Sequence, residues 1–481
     1  MPEIFINGQP VQAGDHQNVL EVALANGFYI PHFCWHPKLS IAGNCRICCV
    51  QVEGRSWVEI ACNLPVARGM NVLTDSELVR AYRKDTLQLV TLNHPVDCGI
   101  CDKAGECTLQ DYHYAYNGSP SASTVPKVHA TKLHDLSARI VLDNERCILC
   151  SRCVRFTREI SKSNALGIKE RGDTSLVRAA EDASFDDDPY SDNVVDICPV
   201  GALLSRPFLH KARVWYLKPT PSVCPGCARG CTVNLWHRKP EWRLAALDPQ
   251  QNVSIARVTP LENPAVNGPW ICNKGRDLAQ IFERPRARQP MQKGKPVDLP
   301  AAIAAARRLI GEAKHPVALV SSWGSNEELA AFRNALGNRF TAFVKPDHVP
   351  APGERLQDDL LIRADKNPNT TGARELFAQL PAEAADAFAE ATDLVLVWGE
   401  GFNFARLPRG AKVVFLNAWL QPENGYADVF VPVSIQTERA GHYTNFQGVV
   451  SAFERCFPKQ ASVADAETLF AALALPAEVR A

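Results

Sequence analysis

The cysteines are the residues of this chain whose number and spacing indicate chemistry most directly. The 481-residue sequence contains 17 of them, and all except Cys456 lie between Cys34 and Cys272. In a reducing compartment thiols persist as metal ligands, and an odd total does not suit a framework of paired disulfides. Together with one histidine, they form four groups of four candidate ligands.

The first group consists of Cys34, Cys45, Cys48 and Cys62. A close Cys-x-x-Cys pair with one cysteine before it and one after it matches a plant-type [2Fe–2S] site, although plant ferredoxins space the first pair more tightly. A structural zinc site is the alternative. Cys49 directly follows Cys48, so we expect its side chain to point elsewhere and to be buried like an apolar residue.

The second group consists of His94, Cys98, Cys101 and Cys107. A histidine this close to three cysteines can complete either a zinc site or a [4Fe–4S] cluster, because both accept imidazole and thiolate ligands. The spacing alone does not decide between them. The position of His94 favours ligation over an ordinary surface or helix-capping role.

The third group consists of Cys147, Cys150, Cys153 and, far downstream, Cys198, which is followed by a proline. Three cysteines at this pitch and a remote Cys-Pro step are typical of bacterial ferredoxins, in which the remote cysteine usually ligates a second cluster. No second triplet accompanies Cys198. We therefore assign it to the same [4Fe–4S] cluster as the other three.

The fourth group consists of Cys224, Cys227, Cys231 and Cys272. A triplet with one distant cysteine has the composition of a four-thiolate site. Either a [4Fe–4S] cluster or zinc fits this pattern, and the residues themselves leave both open.

The elements that position these groups are predicted from periodicity and turn signals. The first 27 residues predict a strand, a turn at Asn7-Gly8, a second strand and a helix over 18–26, which is how a β-grasp module begins. A second helix is predicted over 76–92, and 119–126 is predicted to be a loop. From residue 93 to about 209 there is little aliphatic core, and such regions usually fold around their cofactor.

The last part of the chain has the composition of an ordinary α/β domain and follows a proline-rich junction at 219–221. A helix is predicted over 301–309. Buried strands are predicted over 317–320, 340–344, 394–397, 413–416 and 429–433. Apolar strands separated by helical segments predict a mostly parallel sheet with helices on its faces.

Composition excludes several classes of function. The 52 basic and 52 acidic residues balance, so there is no net field to attract nucleic acid or an anionic membrane. No stretch approaches the ~20 apolar residues that span a bilayer, and residues 1–20 lack the features of a secretory signal. No nucleophile, general base or nucleotide-binding glycine fingerprint is present, so we predict no catalytic residue and no binding of NADH by this chain alone.

Two features are specific enough to indicate a family. They are the order of the four groups and the segments 198–203 and 271–276, which contain the remote cysteines. They resemble the N-terminal architecture of the G subunit of bacterial NADH-quinone oxidoreductase, respiratory complex I, in a short form. The catalytic subunit of NAD-dependent formate dehydrogenase is similar too. The resemblance is dense over 1–278 and weaker at 427–433 and 441–445, which look like molybdopterin-oxidoreductase segments.

The resemblance implies one [2Fe–2S] cluster on the first group and [4Fe–4S] clusters on the other three. No molybdopterin is expected, because the chain beyond Cys272 is much shorter than in working enzymes of that type. The resemblance also divides the chain into five domains. They are a [2Fe–2S] ferredoxin-type domain at 1–78, a [4Fe–4S] domain with one histidine and three cysteine ligands at 79–118, a ferredoxin-like [4Fe–4S] domain at 119–218, a molybdopterin-type [4Fe–4S] domain at 219–280 and a degenerate molybdopterin-oxidoreductase α/β domain at 281–481.

The resemblance implies the function of an iron–sulfur electron-relay subunit of NADH-quinone oxidoreductase, a translocase, which passes electrons from the NADH-oxidising flavoprotein subunit toward quinone. The expected partners are a flavoprotein subunit that oxidises NADH with its small [2Fe–2S] partner, a ferredoxin-like 8Fe–8S subunit and other complex I subunits. We expect a cytoplasmic protein held peripherally on the inner face of the plasma membrane through the complex. The alternatives are the wiring subunit of a soluble NAD-linked hydrogenase or formate dehydrogenase and, in a different class, a zinc-binding structural module.

Overall fold

The chain forms two compact units, Met1–Tyr216 and Leu217–Ala481. The computed structural model describes residues 3–14, 18–180, 184–243, 253–381, 383 and 387–475. The predicted junction at 219–221 lies two residues inside the second unit. Its prolines are part of a strand and not of a linker.

The first unit opens with a five-stranded sheet in the order β2-β1-β5-β3-β4. The strands are β1 (Glu3–Ile6), β2 (Gln9–Gln12), β3 (Cys49–Val52), β4 (Val58–Ile60) and β5 (Asn71–Leu73). Asn7 and Gly8 both have positive φ, as the tight turn of a hairpin requires. Helix α1 (Val19–Ala25) shares an apolar core with Ile4 and Ile6. The predicted β-grasp opening is confirmed.

Helix α2 (Glu77–Thr91) confirms the second helix prediction. It begins where the Ser76 hydroxyl accepts a hydrogen bond of 3.3 Å from the backbone N–H of Val79, which satisfies one of the free donors of the first turn. The helix buries Arg83, whose Nη2 donates to the carbonyl of Cys49 at 3.1 Å. The helix is therefore fixed against the strand that follows the first ligand pair.

The rest of the first unit consists of short elements. They are α3 (Thr108–Tyr112), a π-helical turn (His113–Asn117), β6 (His134–Asp135), β7 (Ile140–Leu142), α4 (Arg152–Glu159), β8 (Leu166–Lys169), β9 (Leu176–Ala179), α5 (Asn193–Ile197) and β10 (Leu203–Ser205). No helix or strand forms over 119–126, as predicted. Although aliphatic residues are few, Ile140, Phe156 and Val194 are fully buried. The region thus has a small core in addition to its cysteines.

The second unit opens with a three-stranded antiparallel sheet of β11 (Leu217–Val223), β12 (Thr232–Arg238) and β13 (Ile255–Pro260). The third and fourth cysteines of the last group, Cys231 and Cys272, lie beside β12 and at the start of α6 (Asn273–Arg276). Helix α7 (Leu278–Phe282) follows directly.

An eight-stranded sheet forms the body of the second unit, in the order β15-β14-β21-β20-β19-β16-β17-β18. Its strands are β14 (Met291–Gln292), β15 (Lys295–Pro296), β16 (Pro316–Ser321), β17 (Thr341–Lys345), β18 (Ala378–Gln379), β19 (Leu394–Trp398), β20 (Lys412–Asn417) and β21 (Val429–Pro432). The six strands from β21 to β18 pair in parallel, and β14 runs in the opposite direction, antiparallel to both β21 and β15. The predicted strands and the mostly parallel sheet are confirmed.

Helices cover this sheet, as expected for parallel strands. They are α8 (Leu299–Glu312), α9 (Asn326–Leu336), α10 (Thr370–Arg374), α11 (Glu423–Tyr426) and α12 (Ala466–Leu473), and a hairpin of β22 (Gly441–Thr444) and β23 (Val450–Phe453) completes the unit. The ring centroid of Phe470 lies 4.6 Å from that of Phe332 and 4.8 Å from that of Trp398, so α9 and α12 pack on the same face of β19. None of the helices described in either unit is long and apolar enough to cross a membrane.

Candidate metal centres

The first group of thiols lies together beside the β-grasp sheet. The backbone N–H of Cys34 donates to Cys45 Sγ at 3.5 Å. The hydrogen bond with the Cys45 thiol lowers the pKa of Cys34 to about 5, and the corresponding bond with Cys48 lowers the pKa of Cys62. Within each hydrogen-bonded pair one thiol is therefore easier to ionise, whereas the same bond raises the pKa of its partner, Cys45 or Cys48. Iron binds the thiolate form, so a bound cluster would have to stabilise the ionised form of both partners.

Cys49 is separate from this group. Its side chain is buried and its Sγ donates weakly to the carbonyl of Val79 at 3.8 Å. Burial raises the pKa of the Cys49 thiol. The prediction that the Cys49 side chain is buried is confirmed.

In the second group, burial raises the pKa of Cys101 and of Cys107. The charge of Cys98 adds to the shift of Cys101, and the charge of Cys101 adds to the shift of Cys107. Cys98 is exposed, whereas Cys101 is buried. His94 lies beside Asp97 and Arg146, the two charged groups that also flank Cys101. The four predicted residues thus share one neighbourhood.

The His94 imidazole has properties that suit a metal ligand. Burial lowers the pKa of its imidazole to about 4, so the ring is neutral at physiological pH. Its Nδ1 atom is buried and has no hydrogen-bond partner among the described residues. A buried polar atom without a partner is costly, and coordination of iron or zinc by a neutral imidazole nitrogen would remove that cost.

The third group surrounds a small enclosed cavity. Its four cysteines all line this cavity, together with Arg152 and apolar side chains. Burial raises the pKa of Cys147 to about 12 and that of Cys150 to about 11. Buried thiols of this kind need a positive partner to ionise, and bound iron would supply it.

Some backbone segments in the first and third groups have a conformation that can bind anions. Arg46, Leu149 and Ser151 have φ of 59°, 52° and 60°, a left-handed conformation that a bulky side chain such as leucine rarely adopts. Alternation of this kind points successive N–H groups into one concavity, which binds anions. The N–H of Leu149 accordingly donates to Cys147 Sγ at 3.4 Å.

Sequence reasoning did not identify the residues that connect the groups. The guanidinium of Arg146 donates to both carboxylate oxygens of Asp97, at 3.0 and 2.6 Å, and so joins the third group to the second. Arg155 in α4 donates to the carbonyls of Cys34 and Cys150, and so joins the third group to the first. The spacing of the cysteines carries no signal for these arginines, since each pairs with a segment distant in the chain.

The fourth group lies in the second unit. The backbone N–H of Cys224 donates to the carbonyl of Cys231 at 2.8 Å, which closes the triplet loop. Burial raises the pKa of Cys272 to about 11, and Cys227 adds to this effect. A β-carbon at Gly275 would lie 3.6 Å from Cys224 Sγ and 3.9 Å from Cys272 Sγ, so this glycine stands close to both sulfurs. The structure therefore brings the predicted triplet and the distant cysteine together.

The lysine of the Lys-Gly-Arg segment after Cys272 forms an ion pair within the chain. Lys274 Nζ lies 2.5 Å from a carboxylate oxygen of Glu354. Burial alone would raise the pKa of Glu354, but the hydrogen bonds from Lys274 and from the backbone N–H of Ala351, together with the nearby positive charge of Lys274, outweigh it and hold the pKa at about 2. The carbonyl of Asp365 accepts from Ala228 N at 2.8 Å, so the loop before α10 contacts the triplet as well.

Two further observations concern metals. Among the residues that the structure describes, no three histidine, cysteine, aspartate or glutamate side chains are close enough to hold one single metal ion. Cys456, the cysteine outside the four groups, is buried, and burial raises its pKa to about 12. Its environment is that of a structural thiol.

Four family models match the chain. They are a 2Fe-2S iron-sulfur cluster binding domain at 2–77, the NADH-ubiquinone oxidoreductase-G iron-sulfur binding region at 83–120, the ferredoxin-like domain of NADH-quinone oxidoreductase subunit 3 at 137–204 and the molybdopterin oxidoreductase Fe4S4 domain at 217–284. Domains that bind both [2Fe–2S] and [4Fe–4S] clusters are therefore present, and the multidomain α/β assignment is confirmed.

The chain is also similar to curated proteins. It is 36% identical over 292 residues to the mitochondrial NADH dehydrogenase [ubiquinone] iron-sulfur protein 1 of Solanum tuberosum, covering 61% of this chain and 38% of the relative. It is 35% identical over 276 residues to the G subunit of NADH-quinone oxidoreductase from Rickettsia typhi, covering 57% of this chain and 39% of the relative. The chain thus spans about two fifths of the length of these relatives. The predicted resemblance to the G subunit is confirmed.

One solved structure is similar in sequence over a shorter region. A chain of an NAD+-reducing [NiFe]-hydrogenase in the H2-reduced state is 31% identical. The match covers 44% of this chain and 91% of the hydrogenase chain, with a TM-score of 0.41.

Proposed function

We propose that this chain, a homologue of the G subunit of NADH-quinone oxidoreductase, is an iron–sulfur electron-relay component of such an enzyme. The observation that carries the proposal is the order of the matched domains. A [2Fe–2S] domain, the oxidoreductase-G iron–sulfur region, a ferredoxin-like domain and a molybdopterin-type Fe4S4 domain follow one another in one chain. Relatives that share these residues carry the names of this enzyme.

The proposal assigns one [2Fe–2S] cluster and three [4Fe–4S] clusters. The [2Fe–2S] ligands are Cys34, Cys45, Cys48 and Cys62. The [4Fe–4S] ligands are His94, Cys98, Cys101 and Cys107; Cys147, Cys150, Cys153 and Cys198; and Cys224, Cys227, Cys231 and Cys272. Bound clusters supply one-electron chemistry, whereas the chain supplies their position, burial and hydrogen bonds.

The residues of this chain act on potentials through charge and solvation. A neutral His94 in place of a thiolate makes its site less negative, which by itself raises the reduction potential of a cluster held there. The exposed Cys98 gives that site contact with water, which modifies the same potential. The proposed role of the chain is therefore the transfer of electrons between clusters. No residue is assigned to acid–base or nucleophilic chemistry.

The C-terminal part is proposed to hold no molybdopterin. In the molybdopterin enzymes that this region resembles, a Lys-Gly-Arg segment beside the cluster faces the pterin. Here the lysine of that segment, Lys274, pairs with Glu354 of the same chain. We keep the division at 78, 118, 218 and 280 as part of the proposal, with 281–481 as a degenerate molybdopterin-oxidoreductase domain.

The proposed partners follow from the function. Electrons enter from a flavoprotein subunit that oxidises NADH, with its small [2Fe–2S] partner, and leave to a ferredoxin-like 8Fe–8S subunit on the way to quinone. Other complex I subunits hold the chain peripherally on the inner face of the plasma membrane. The balanced charge of the chain gives it no general affinity for nucleic acid.

Anaerobic purification of the full chain from its native complex tests the proposal. We expect a brown protein with about 14 iron atoms per chain and acid-labile sulfide, as one two-iron and three four-iron clusters require. Electron paramagnetic resonance of the reduced protein should resolve both cluster types. Zinc without labile sulfide would refute the proposal, and co-purification with a hydrogenase large subunit in place of membrane subunits would favour the soluble hydrogenase alternative.

A further inference from the structure

One nitrogen atom connects ligand residues of two different groups. Arg155 Nη2 donates to the backbone carbonyl of Cys34 at 2.5 Å and to that of Cys150 at 3.2 Å. A guanidinium Nη atom carries two N–H groups, so it can serve both acceptors at once. The link between the two ligand residues therefore contains a single nitrogen and two hydrogen bonds.

The rest of the guanidinium is held firmly. Arg155 Nη1 donates to the carbonyl of Ser40, and Nε donates to Ser151 Oγ at 3.2 Å. Residue 159, one turn later in α4, adds two more bonds to the same loop, since the Glu159 carboxylate accepts from Ser40 N at 2.8 Å and from Ser40 Oγ at 2.6 Å. Helix α4 is thus docked on the segment that carries Cys34.

The charge of Arg155 faces oxygen atoms of neutral groups. The residue is 5% exposed, and within the described part of the chain all of its hydrogen bonds are to carbonyl and hydroxyl oxygens, with no carboxylate partner. Buried charges are ordinarily paired. In this structure the charge is instead directed at the backbone carbonyls of Cys34 and Cys150, two residues assigned as cluster ligands.

We propose that Arg155 is a positioning residue for electron transfer, which bridges the [2Fe–2S] group of Cys34 and the [4Fe–4S] group of Cys150 and sets both potentials together. The inference rests on the proposed function. Each transfer moves one electron between the two groups, so one group is oxidised by one unit and the other is reduced by one unit, with no bond broken and no proton moved. A fixed positive charge stabilises the more negative, reduced form of each group and so raises both reduction potentials.

Redox titration followed by electron paramagnetic resonance on the purified complex tests this inference. In Arg155→Met, the side chain keeps much of its length but loses its charge and donors. We expect the midpoint potentials of the [2Fe–2S] signal and one [4Fe–4S] signal to fall, while the other two signals keep theirs. Arg158→Met is the matched control, because Arg158 lies on the same helix with a side chain that is 62% exposed. It should leave all four potentials unchanged.

A second variant, Arg155→Lys, is titrated in the same way, so that the inference can be tested even when Arg155→Met loses a cluster. An ammonium keeps the charge but has three donors on one atom and cannot reproduce the four hydrogen bonds of the planar guanidinium, so both potentials should fall by less than in Arg155→Met. Unchanged potentials in a variant that retains all four signals, or a shift of only one of the two, would overturn the inference. Absence of iron–sulfur signals in the wild-type complex would instead overturn the proposed function.

Discussion

Gly201 lies directly against the sulfur of Cys101. A β-carbon at position 201 would overlap Cys101 Sγ and would stand 3.3 Å from Lys103 Cβ. Gly201 belongs to the segment that follows Cys198, and the carbonyl of Pro199 also accepts from Thr108 N at 3.0 Å. The segment that closes the third group therefore forms a wall of the second group.

Gly201→Ala should damage the second group from a position that carries no ligand. The added methyl group displaces the Cys101 sulfur, and overpacking of this kind costs about 1–3 kcal/mol. We expect one [4Fe–4S] signal to change or disappear while the others remain. Gly167→Ala is the control, since a β-carbon there meets no atom within 4 Å. Equal spectra for both variants and the wild type would contradict the placement of Gly201.

His94→Ala should perturb one [4Fe–4S] signal in electron paramagnetic resonance and slow transfer from NADH to quinone, because the site loses a neutral ligand. His129→Ala is the matched control. His129 lies in the same region but is 78% exposed and pairs with Glu145 at 2.7 Å. An unchanged spectrum in the His94 variant would rule out ligation by this residue.

Cys198→Ala should remove the cluster of the third group and loosen the surrounding segment, because metal binding contributes much of the folding free energy where apolar core is scarce. Iron should fall by about four atoms per chain, and limited proteolysis should cut between α4 and β10 more readily. Cys49→Ala removes a buried thiol that is not assigned to a cluster and should keep all the iron. Full iron and normal protease resistance in the Cys198 variant would count against its assignment.

Cys272→Ser should lower the iron content by about four atoms per chain and weaken subunit assembly. We expect the assembled complex to pass electrons from NADH to quinone at a near-normal rate, because Lys274 beside this group is paired with Glu354 and no local acceptor is proposed. The measurement is NADH oxidation per assembled complex. Loss of nearly all activity in a fully assembled variant would place the fourth group on the main path.

Cys456 should resist alkylation between pH 7 and 9. Burial raises its folded pKa to about 12, well above the ordinary thiol value, so the native thiol stays protonated over this range. Because the unfolded thiol ionises first, stability should fall as pH rises from about 9 to about 12. Mass spectrometry after iodoacetamide treatment, with and without denaturant, checks the first expectation. Modification of Cys456 in the native protein would show that it is accessible.

The sequence predicted elements well where local signals are strong. Ile4 and Ile6 alternate as a half-buried strand must, and both are fully buried. The helix predicted over 301–309 begins earlier, at Leu299, because Asp298 accepts from Ala301 N at 2.7 Å and caps it. Strand β17 extends to Lys345, one residue beyond the predicted end. The hydropathy of lysine indicates a position outside a buried strand, but here its ammonium is buried against the Asp347 carboxylate.

Contacts between distant segments could not be predicted in the same way. The groups of cysteines follow from spacing within each motif, but Arg155 contacts Cys34 and Gly201 contacts Cys101, residues that are a hundred or more positions away in the chain. Their roles depend on how α4 and the Cys198 segment pack, and a single sequence does not state that packing. The order of the eight-stranded sheet is hidden for the same reason.

The remoteness of Cys198 from its triplet has a consequence for biosynthesis. A chain emerging from the ribosome presents Cys147, Cys150 and Cys153 well before it presents Cys198. Until then the triplet has no fourth thiolate, and Gly201 has not yet formed its wall against Cys101. With Cys198 as the proposed fourth ligand, a cluster in the third group can be completed only after synthesis has passed this segment, and a nascent chain arrested before it would expose incompletely ligated thiols to oxidation.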